Sequence, residues 1–471
     1  MKRFAIIGGG VSGLSAAFYL EELRRRGAKV EYSLLEASHR LGGALRTEKL
    51  DDCLVEAGPD SFLSEKPWAA DLCRRAGIGD QLMGSNDAAR KTYILVNRRL
   101  VPMPDGLMFM VPTDFAAAAL SPLFSMQTKY RMVRERFLPP RPAQADESVA
   151  AFVARHYGDE MVERLADPLL AGVYGGRAKN LSVRATLPRF AEMEVQYGSL
   201  GRGMLAARNK PKPPGATSSS VFTSLRNGMQ SMTDAIAASL PAGVAQVGMP
   251  VEAIQREGDS WVVSAGFGSD EFDGVILAVP AYVAGHLLRM VSNELAAGLN
   301  AIAYSSSVTI ALTYSQEVRA SLPPGFGFLV PRSEGLKMLA ATFVHNKFPH
   351  RAPDDCALLR CFLSGSDEDN LLDLSDENIL AIVRTELQQT LNITADPRAV
   401  RIYRWKKAMA QYNVGHLERL ARIEQSLQNF PSLALAGNGY RGIGVPDCVR
   451  SGEEAAQRVL AALGVTHVTA G

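Results

Sequence analysis

The apolar residues Phe4 to Ile7 run without a polar interruption into Gly8-Gly-Gly-Val-Ser-Gly13, and a helix-compatible stretch comes next. The chain therefore opens as buried strand, glycine turn and helix. A second apolar run, Val30 to Leu35, predicts another strand and delivers Glu36 at its end. In mid-chain the pattern turns helical: Val149 to Leu170 repeats with a helical period, and Leu181 to Met193 continues it through a start marked by Pro188. Arg208 to Ser220 is rich in Pro, Ser and Lys, lacks an apolar period and reads as a connector. Beyond it, Val221 to Leu225 and the Asn227-Gly228 turn lead to a helix over Met229 to Leu240. Short strands are then expected around Val244 to Val251, Trp261 to Ala265 and Gly274 to Val279. Further apolar stretches at Val308 to Leu312, Phe326 to Val330 and Leu358 to Leu363 predict a mostly antiparallel sheet. Finally, Leu433 to Ala436 predicts a strand that passes through a glycine-rich loop into a helix reaching Leu463.

Gly8, Gly10 and Gly13 stand in G-x-G-x-x-G spacing, where the first glycine permits a tight turn, the second lets backbone approach a phosphate, and the third lets helix pack on strand. Glu36 lies 23 residues after Gly13, where a ribose diol needs a carboxylate acceptor. Gly8, Gly9, Gly10, Val11, Ser12, Gly13, Glu36 and Ala37 are thus candidate dinucleotide contacts, and the spacing alone does not choose between nicotinamide and flavin. The residues just beyond the second strand narrow the choice. Arg40 can offer a fork of donors to phosphate oxygens, and Gly42, Gly43 and Ala44 let backbone come close to a cofactor, a stretch that a nicotinamide enzyme does not need. At the other end, Gly437 to Gly444 holds four glycines in eight residues and opens the last helix. The amides of that helix start favour an anion, such as the N1/C2-carbonyl edge of a reduced flavin.

With 471 residues, 47% hydrophobic and 21% charged, the chain has room for two or three domains. A formal charge of +2, with arginines spread rather than massed, argues against nucleic acid as a partner. Cys53, Cys73, Cys356, Cys361 and Cys448 lack C-x-x-C spacing, so no metal site is expected and reduced thiols in a cytoplasm are the simplest reading. No room precedes the first strand for an export signal, and no apolar run is long enough to span a bilayer. Gly106 to Phe124 is interrupted by Pro112, Thr113, Asp114 and Pro122. It reads as an apolar channel wall or, with Lys129, Arg131, Arg134 and Arg136 close behind, as peripheral attachment to the inner face of an anionic membrane.

The E-x-x-x-R-x-G-G pattern from Glu36 to Gly43 resembles the flavin-dependent amine oxidase and porphyrinogen oxidase superfamily. Asp167 to Gly176, Leu181 to Pro188, Trp405 with Gln411 to His416, and Gly437 to Cys448 extend the likeness to the porphyrinogen oxidases over nearly the whole chain. It is strongest toward their soluble bacterial branch, through Asn97 to Pro112 and His345 to Pro353. The resemblance implies an α/β chain, α+β overall, with a discontinuous Rossmann-type FAD-binding domain (1–85, 221–285 and 428–471). It also implies an antiparallel-sheet substrate domain (86–104 and 286–427), a helical domain (105–207) and a connector (208–220). On the same ground Gly58, Pro59, Asp60, Ser61, Trp405, Asn438, Ile443, Gly444 and Val445 are expected near the flavin, and Val251 on the adenine side.

Family membership implies oxidation of coproporphyrinogen III or protoporphyrinogen IX by three hydride transfers to flavin, with O2 reduced to H2O2, and hand-off to another enzyme of heme formation. The bacterial likeness tilts the choice toward coproporphyrinogen III. Because the flavin is the electron sink, no side-chain base is required, and His345 and His350 read as structural or solvent-facing. Arg90, Lys91, Arg98, Arg99 and Arg177 could pair with substrate carboxylates. Thr92 stands where some members carry a substrate-binding arginine, which puts Lys91 forward, with Arg177. A flavin amine oxidase and a non-enzymatic FAD-stabilised scaffold are the alternatives.

Overall fold

In the computed structural model, which describes residues 1–142, 144–208, 220–266, 268–364 and 371–465, the first strand, Lys2–Ile7, lies at the centre of a five-stranded parallel sheet. Across that sheet the order is Ala245–Val247, Val30–Glu36, Lys2–Ile7, Gly274–Leu277 and Leu433–Leu435. Strands separated by hundreds of residues are neighbours here, which makes this Rossmann-type unit discontinuous in sequence. Both faces are covered. Phe4 and Ile6 pack under the helices Val11–Arg25, Gln230–Ser239 and Val445–Ala462, while Ala5 and Ile7 pack with Ala281–Leu287, Asn293–Asn300 and His416–Leu427. Burial on both faces accounts for the unbroken apolar run at Phe4 to Ile7.

A seven-stranded sheet forms the second layer, in the order Ala399–Ala410, Tyr304–Tyr314, Ala357–Ser364, Met338–Phe343, Gly327–Leu329, Thr92–Val96 and Arg99–Pro102. It is antiparallel except where Gly327–Leu329 meets Thr92–Val96. Alternation fixes its faces: Val308, Ile310, Leu312, Leu359, Cys361 and Leu363 point to a core shared with the helix Asp376–Leu391, whereas Ala311, Leu358 and Tyr403 point to the Thr47–Leu50 and Cys53–Glu56 hairpin of the first unit. That second face abuts the candidate site.

The middle of the chain is helical but more broken than its periodicity predicts. Val149–Tyr157 ends at Gly158, whose φ of +96° terminates the helix, and Asp159–Met161 and one wide turn at Val162–Ala166 precede Asp167–Tyr174. Pro188 opens Pro188–Tyr197 at a first-turn position, where its missing N–H costs nothing. Met110, Val111, Ala118, Leu123 and Phe124 are buried in the core of this region, whereas Met108, Phe109 and Leu120 of the same Gly106 to Phe124 stretch are exposed. Apart from its ends, Arg208 and Ser220, the expected connector lies outside the described residues. Among the described residues no helix is long and apolar enough to cross a membrane, and no group of His, Cys, Asp and Glu could hold a metal ion. All five cysteines are unpaired thiols.

Candidate active site

The Gly8 amide donates to the Leu35 carbonyl (2.8 Å) with φ at +106°, which closes the turn above the parallel strands. A Cβ on Gly8 would lie 2.4 Å from the Ala278 carbonyl oxygen, and one on Gly13 would lie 1.8 Å from the Gly8 carbonyl oxygen. Neither position admits a side chain. Gly10 differs, because a Cβ there would meet nothing within 4 Å. Gly10 is also the N-cap of Val11–Arg25, with no side chain capping the helix and no acidic residue in its first turn. Open space above an uncapped helix N-terminus, where Val11 and Ser12 begin the first turn, can receive a diphosphate.

Glu36 stands beside that opening. Its Oε2 accepts from the Gly9 amide (2.6 Å) and its Oε1 from the Ser38 amide (2.8 Å), next to exposed Ala37. Carboxylate oxygens have lone pairs to spare, so Glu36 can accept from a ribose diol while bracing the glycine turn. The Gly248 and Met249 amides donate to Ser38 O (2.8 Å) and Glu36 O (2.9 Å), which brings the strand beginning at Val251 to the same end of the sheet. Arg40 is partly engaged within its own loop. Its Nη1 donates to Gly43 O (2.6 Å) and its Nη2 to Leu45 O (2.7 Å), so these two bonds stiffen the loop and leave three of the five guanidinium N–H groups for another acceptor. The Gly42 amide donates to Gly9 O (2.8 Å), and a Cβ on Gly43 would lie 3.2 Å from the Gly10 Cα, so the two loops close on each other backbone to backbone. Gly58 is equally crowded, with its missing Cβ 2.0 Å from the Ala44 carbonyl oxygen. That contact sets the Gly58–Ser61 segment against the loop that follows Glu36.

The opposite wall comes from the end of the chain. Val445–Ala462 packs on Val11–Arg25 so closely that a Cβ on Gly452 would sit 2.1 Å from the Ser12 carbonyl oxygen. Gly444 is its N-cap, again without a side-chain cap, and half-buried Ile443 and buried Val445 flank it. Two uncapped helix starts therefore belong to two helices packed on each other. Asn438 Nδ2 donates to Ala408 O (3.0 Å), and Asn438 O accepts from the Tyr412 hydroxyl (2.8 Å). His416 stacks on Tyr412 at 4.1 Å, and its Nε2 lies 2.9 Å from Tyr440 O, so this buried pair ties the loop to the strand Ala399–Ala410. From that strand Trp405 Nε1 donates to Ala57 O (3.1 Å).

Behind Gly58–Ser61 lies a charged cluster that sequence patterns do not predict. Lys347 Nζ donates to Asp60 Oδ1 (2.9 Å) and Oδ2 (3.0 Å), and Arg351 Nη2 reaches Glu56 Oε1 (3.0 Å), Ser224 Oγ (2.7 Å) and Asp60 O (3.2 Å). Arg360 donates to the Ala57 and Gly58 carbonyls. Burial opposes the charge on Asp60, yet Lys347, Arg360 and Arg351 outweigh it and hold this carboxyl well below its usual range. Glu56 goes the other way, because burial raises its pKa against the pull of Arg351. Burial also lowers the pKa of Lys347 and Arg360. The Nε atoms of Arg351 and Arg360 are buried without a partner, and both residues line a water-sized cavity with Glu56 and Asp60. The one local signal is Arg360, a charge inside the otherwise apolar strand Ala357–Ser364.

The candidate substrate cations are scattered. Lys91 is exposed with Nζ 5.5 Å from the Tyr93 ring centroid, Thr92 begins a sheet strand, and Arg177 is half-buried after Asp167–Tyr174. Arg98 and Arg99 occupy a hairpin at the sheet's edge, where Arg98 Nη1 donates to Gln389 (2.8 Å), and Arg90 is exposed. His345 is buried with Nδ1 against the Leu358 backbone (3.2 Å). Burial pulls His345 and His350 each down to about 4, so both imidazoles are neutral at neutral pH.

Residues 11–460 match the model of the flavin containing amine oxidoreductase family. The chain is 33% identical over 468 residues to the coproporphyrinogen III oxidase of Bacillus subtilis, covering 98% of each chain. It is 29% identical to the chloroplastic protoporphyrinogen oxidase 1 of Arabidopsis thaliana, covering 96% of this chain and 87% of that one. A crystal structure from Exiguobacterium sp. 255-15, assigned as a protoporphyrinogen oxidase, superposes with a TM-score of 0.86 at 30% identity, covering 98% of this chain and 99% of that one. The chain therefore belongs to the flavin containing amine oxidoreductases, within their porphyrinogen oxidase branch, and is an FAD-dependent oxidoreductase.

Proposed function

We propose that this protein oxidises coproporphyrinogen III to coproporphyrin III, in preference to protoporphyrinogen IX to protoporphyrin IX. The observation that carries the reading is end-to-end likeness to the Bacillus subtilis coproporphyrinogen III oxidase, 33% identical over 98% of both chains. Three two-electron oxidations remove six hydrogens from the macrocycle, three O2 become three H2O2, and the porphyrin is released to a later enzyme of heme formation. Bound FAD supplies the hydride acceptor and passes the electrons to O2.

The groove suits that cofactor, because the space over Gly10 lacks a Cβ, both facing helix starts lack side-chain caps, and Glu36 retains acceptor capacity. In this reading the backbone from Gly8 to Gly13 holds the diphosphate, Glu36 takes the ribose, and Arg40 stiffens the loop from Gly42 to Ala44. Val251 lies toward the adenine. Gly58 to Ser61, Trp405 and Asn438 to Val445 surround the ring, with the Gly444 and Val445 amides favouring negative charge on it. Residues 1–85, 221–285 and 428–471 form the cofactor unit, 86–104 and 286–427 with 105–207 enclose the substrate, and Lys91, Thr92 and Arg177 meet its carboxylates. No side chain acts as general base. The protein's task is to hold a bridging carbon against the flavin and exclude water.

Anaerobic mixing of the flavin-loaded enzyme with each reductant tests this reading. Coproporphyrinogen III is expected to bleach the flavin spectrum fastest. No bleaching by either porphyrinogen would overturn it, and bleaching by a polyamine alone would establish an amine oxidase instead.

A further inference from the structure

A second concavity lies apart from the residues assigned to the cofactor. Tyr282, Val283, Gly285, His286, Arg289 and Asn300, from the helices Ala281–Leu287 and Asn293–Asn300 and the turn between them, line an open groove of about 490 Å³. That is the size of a small-molecule site. It shares no residue with the candidate flavin contacts. At Gly285 a Cβ would lie 2.6 Å from Asn300 Oδ1, so the two helices meet there with no side chain between them.

The basic side chains here are held close together without a counter-ion. Arg289 Nη1 lies 3.3 Å from His286 Nδ1 and 3.4 Å from His286 Nε2, so it approaches both ring nitrogens almost equally instead of meeting one lone pair. Lys407 joins them, with its Nζ 5.6 Å from the Tyr282 ring centroid. Its backbone is strained to do so: φ is +45°, at a break in register opposite Ser305 and Ser307, where the Lys407 amide donates to Ser306 Oγ (3.0 Å). Among the described residues none of the three has a carboxylate within ion-pair distance, whereas Arg404, on the same strand as Lys407, pairs with Asp376 (2.6 Å). Basic groups gathered at a concavity with no acid among them create a field that an anion relieves. Beside them Tyr282 and Val283 offer apolar surface. Tyr282 packs edge to face on Tyr304 (5.2 Å between centroids), and the Tyr304 hydroxyl accepts from the Ala281 amide (2.9 Å) and lies 2.6 Å from where a Cβ on Gly439 would stand. Two tyrosine rings thus separate this groove from the loop Asn438–Val445.

We propose that this groove is a second binding site, for a small polycarboxylate with an apolar body, and that the porphyrin product is its ligand, held here by its carboxylates outside the catalytic site. The identification of the ligand as the product rests on the function proposed above. Arg289 takes one carboxylate through its forked donors, while Lys407 and a His286 N–H meet a second. Tyr282 and Val283 cover part of the apolar ring. Asn300 supplies a neutral amide at the groove's edge.

Equilibrium dialysis of coproporphyrin III against the full-length, flavin-loaded enzyme tests this inference. Wild type is expected to bind one porphyrin in the catalytic site and a second one here. Arg289 and Lys407 are both exposed, so the double variant Arg289→Gln and Lys407→Gln should fold normally. It should lose about tenfold in affinity at the second site while keeping its flavin content and its initial turnover. Protoporphyrin IX, with two carboxylates in place of four, should occupy the second site more weakly, and inorganic phosphate at the same concentration should not displace the porphyrin. A single porphyrin on wild type, or an undiminished second one on the double variant, would overturn the proposal. So would tighter binding of protoporphyrin IX, or displacement by phosphate, which would mark a bare anion site. Loss of initial turnover in the double variant would also overturn it, by placing both residues in the catalytic site. These binding measurements stand apart from the flavin bleaching that tests the function itself.

Discussion

The glycine turn at Gly8–Gly13 and the charged cluster behind Gly58–Ser61 are built by opposite means. The first is made from backbone and missing side chains, within one short stretch plus Glu36. The second is made from five ionisable side chains, Glu56, Asp60, Lys347, Arg351 and Arg360, which come from two parts of the chain nearly 300 residues apart. A backbone site costs little to keep empty, because its amides can face water. A buried side-chain cluster is stable only while every charge keeps its partner. Damage to the turn should therefore read out mainly as lost cofactor, and damage to the cluster as lost fold.

The largest effect should come from Arg351→Met, which strands Glu56 in the interior and should cost on the order of 3–5 kcal/mol of unfolding free energy by denaturant titration. Adding Glu56→Gln should return more than half of that loss. A double variant no more stable than the single one would show that the pair is not what Arg351 contributes.

His345 lies in the same region and gives it a pH signature. Its folded pKa, about 4, is depressed below the usual 6.5, so its contribution is complete above 6.5 and is lost as pH falls toward 4. The loss is on the order of 3 kcal/mol. His345→Gln should flatten the stability-versus-pH curve across that window, and an unchanged slope would place the acid sensitivity elsewhere.

At the turn the predictions change currency. Glu36→Ala should weaken FAD retention by about 1.5–3 kcal/mol, read by flavin content and equilibrium dialysis, since it removes the ribose acceptor and one brace of the glycine loop. Flavin-saturated enzyme should turn over as before. The smallest and sharpest contrast is between two glycines three residues apart. Gly13→Ala should destabilise even the apoprotein by about 1–3 kcal/mol, because its Cβ has nowhere to go. Gly10→Ala, with φ at −72° and open space beside it, should leave apoprotein stability within about 0.5 kcal/mol while lowering flavin content. Equal apoprotein losses for the two variants would erase the distinction between a packing glycine and an approach glycine.

The same contrast decides what a sequence can reveal. Strand, turn, helix and ribose acid are directly legible, since each is a local pattern: Lys2–Ile7, Val11–Arg25 and Val30–Glu36 fall where the apolar runs place them. The glycine loop before the last helix is legible for the same reason, with Val445–Ala462 ending one residue before the expected Leu463. The helical period over Val149 to Leu170 shows the helical character of the region but gives Gly158 no special weight, whereas its positive φ breaks the helix there. Spacing marks Arg40 as a donor without revealing that two of its five N–H groups bind the Gly43 and Leu45 carbonyls of its own loop. The cluster is invisible for a deeper reason: Lys347, Arg351 and Arg360 look like surface charges until the second sheet folds over the Cys53–Glu56 hairpin and removes them from water.

The function assigned to the groove is tested most directly by initial rates with coproporphyrinogen III and protoporphyrinogen IX, measured side by side under air by porphyrin fluorescence, with H2O2 monitored in parallel. Porphyrin formation from coproporphyrinogen III should show the higher kcat/KM, with three H2O2 released per porphyrin. Preference for protoporphyrinogen IX would contradict the substrate assignment, and failure to form either porphyrin in flavin-replete enzyme would contradict the function itself.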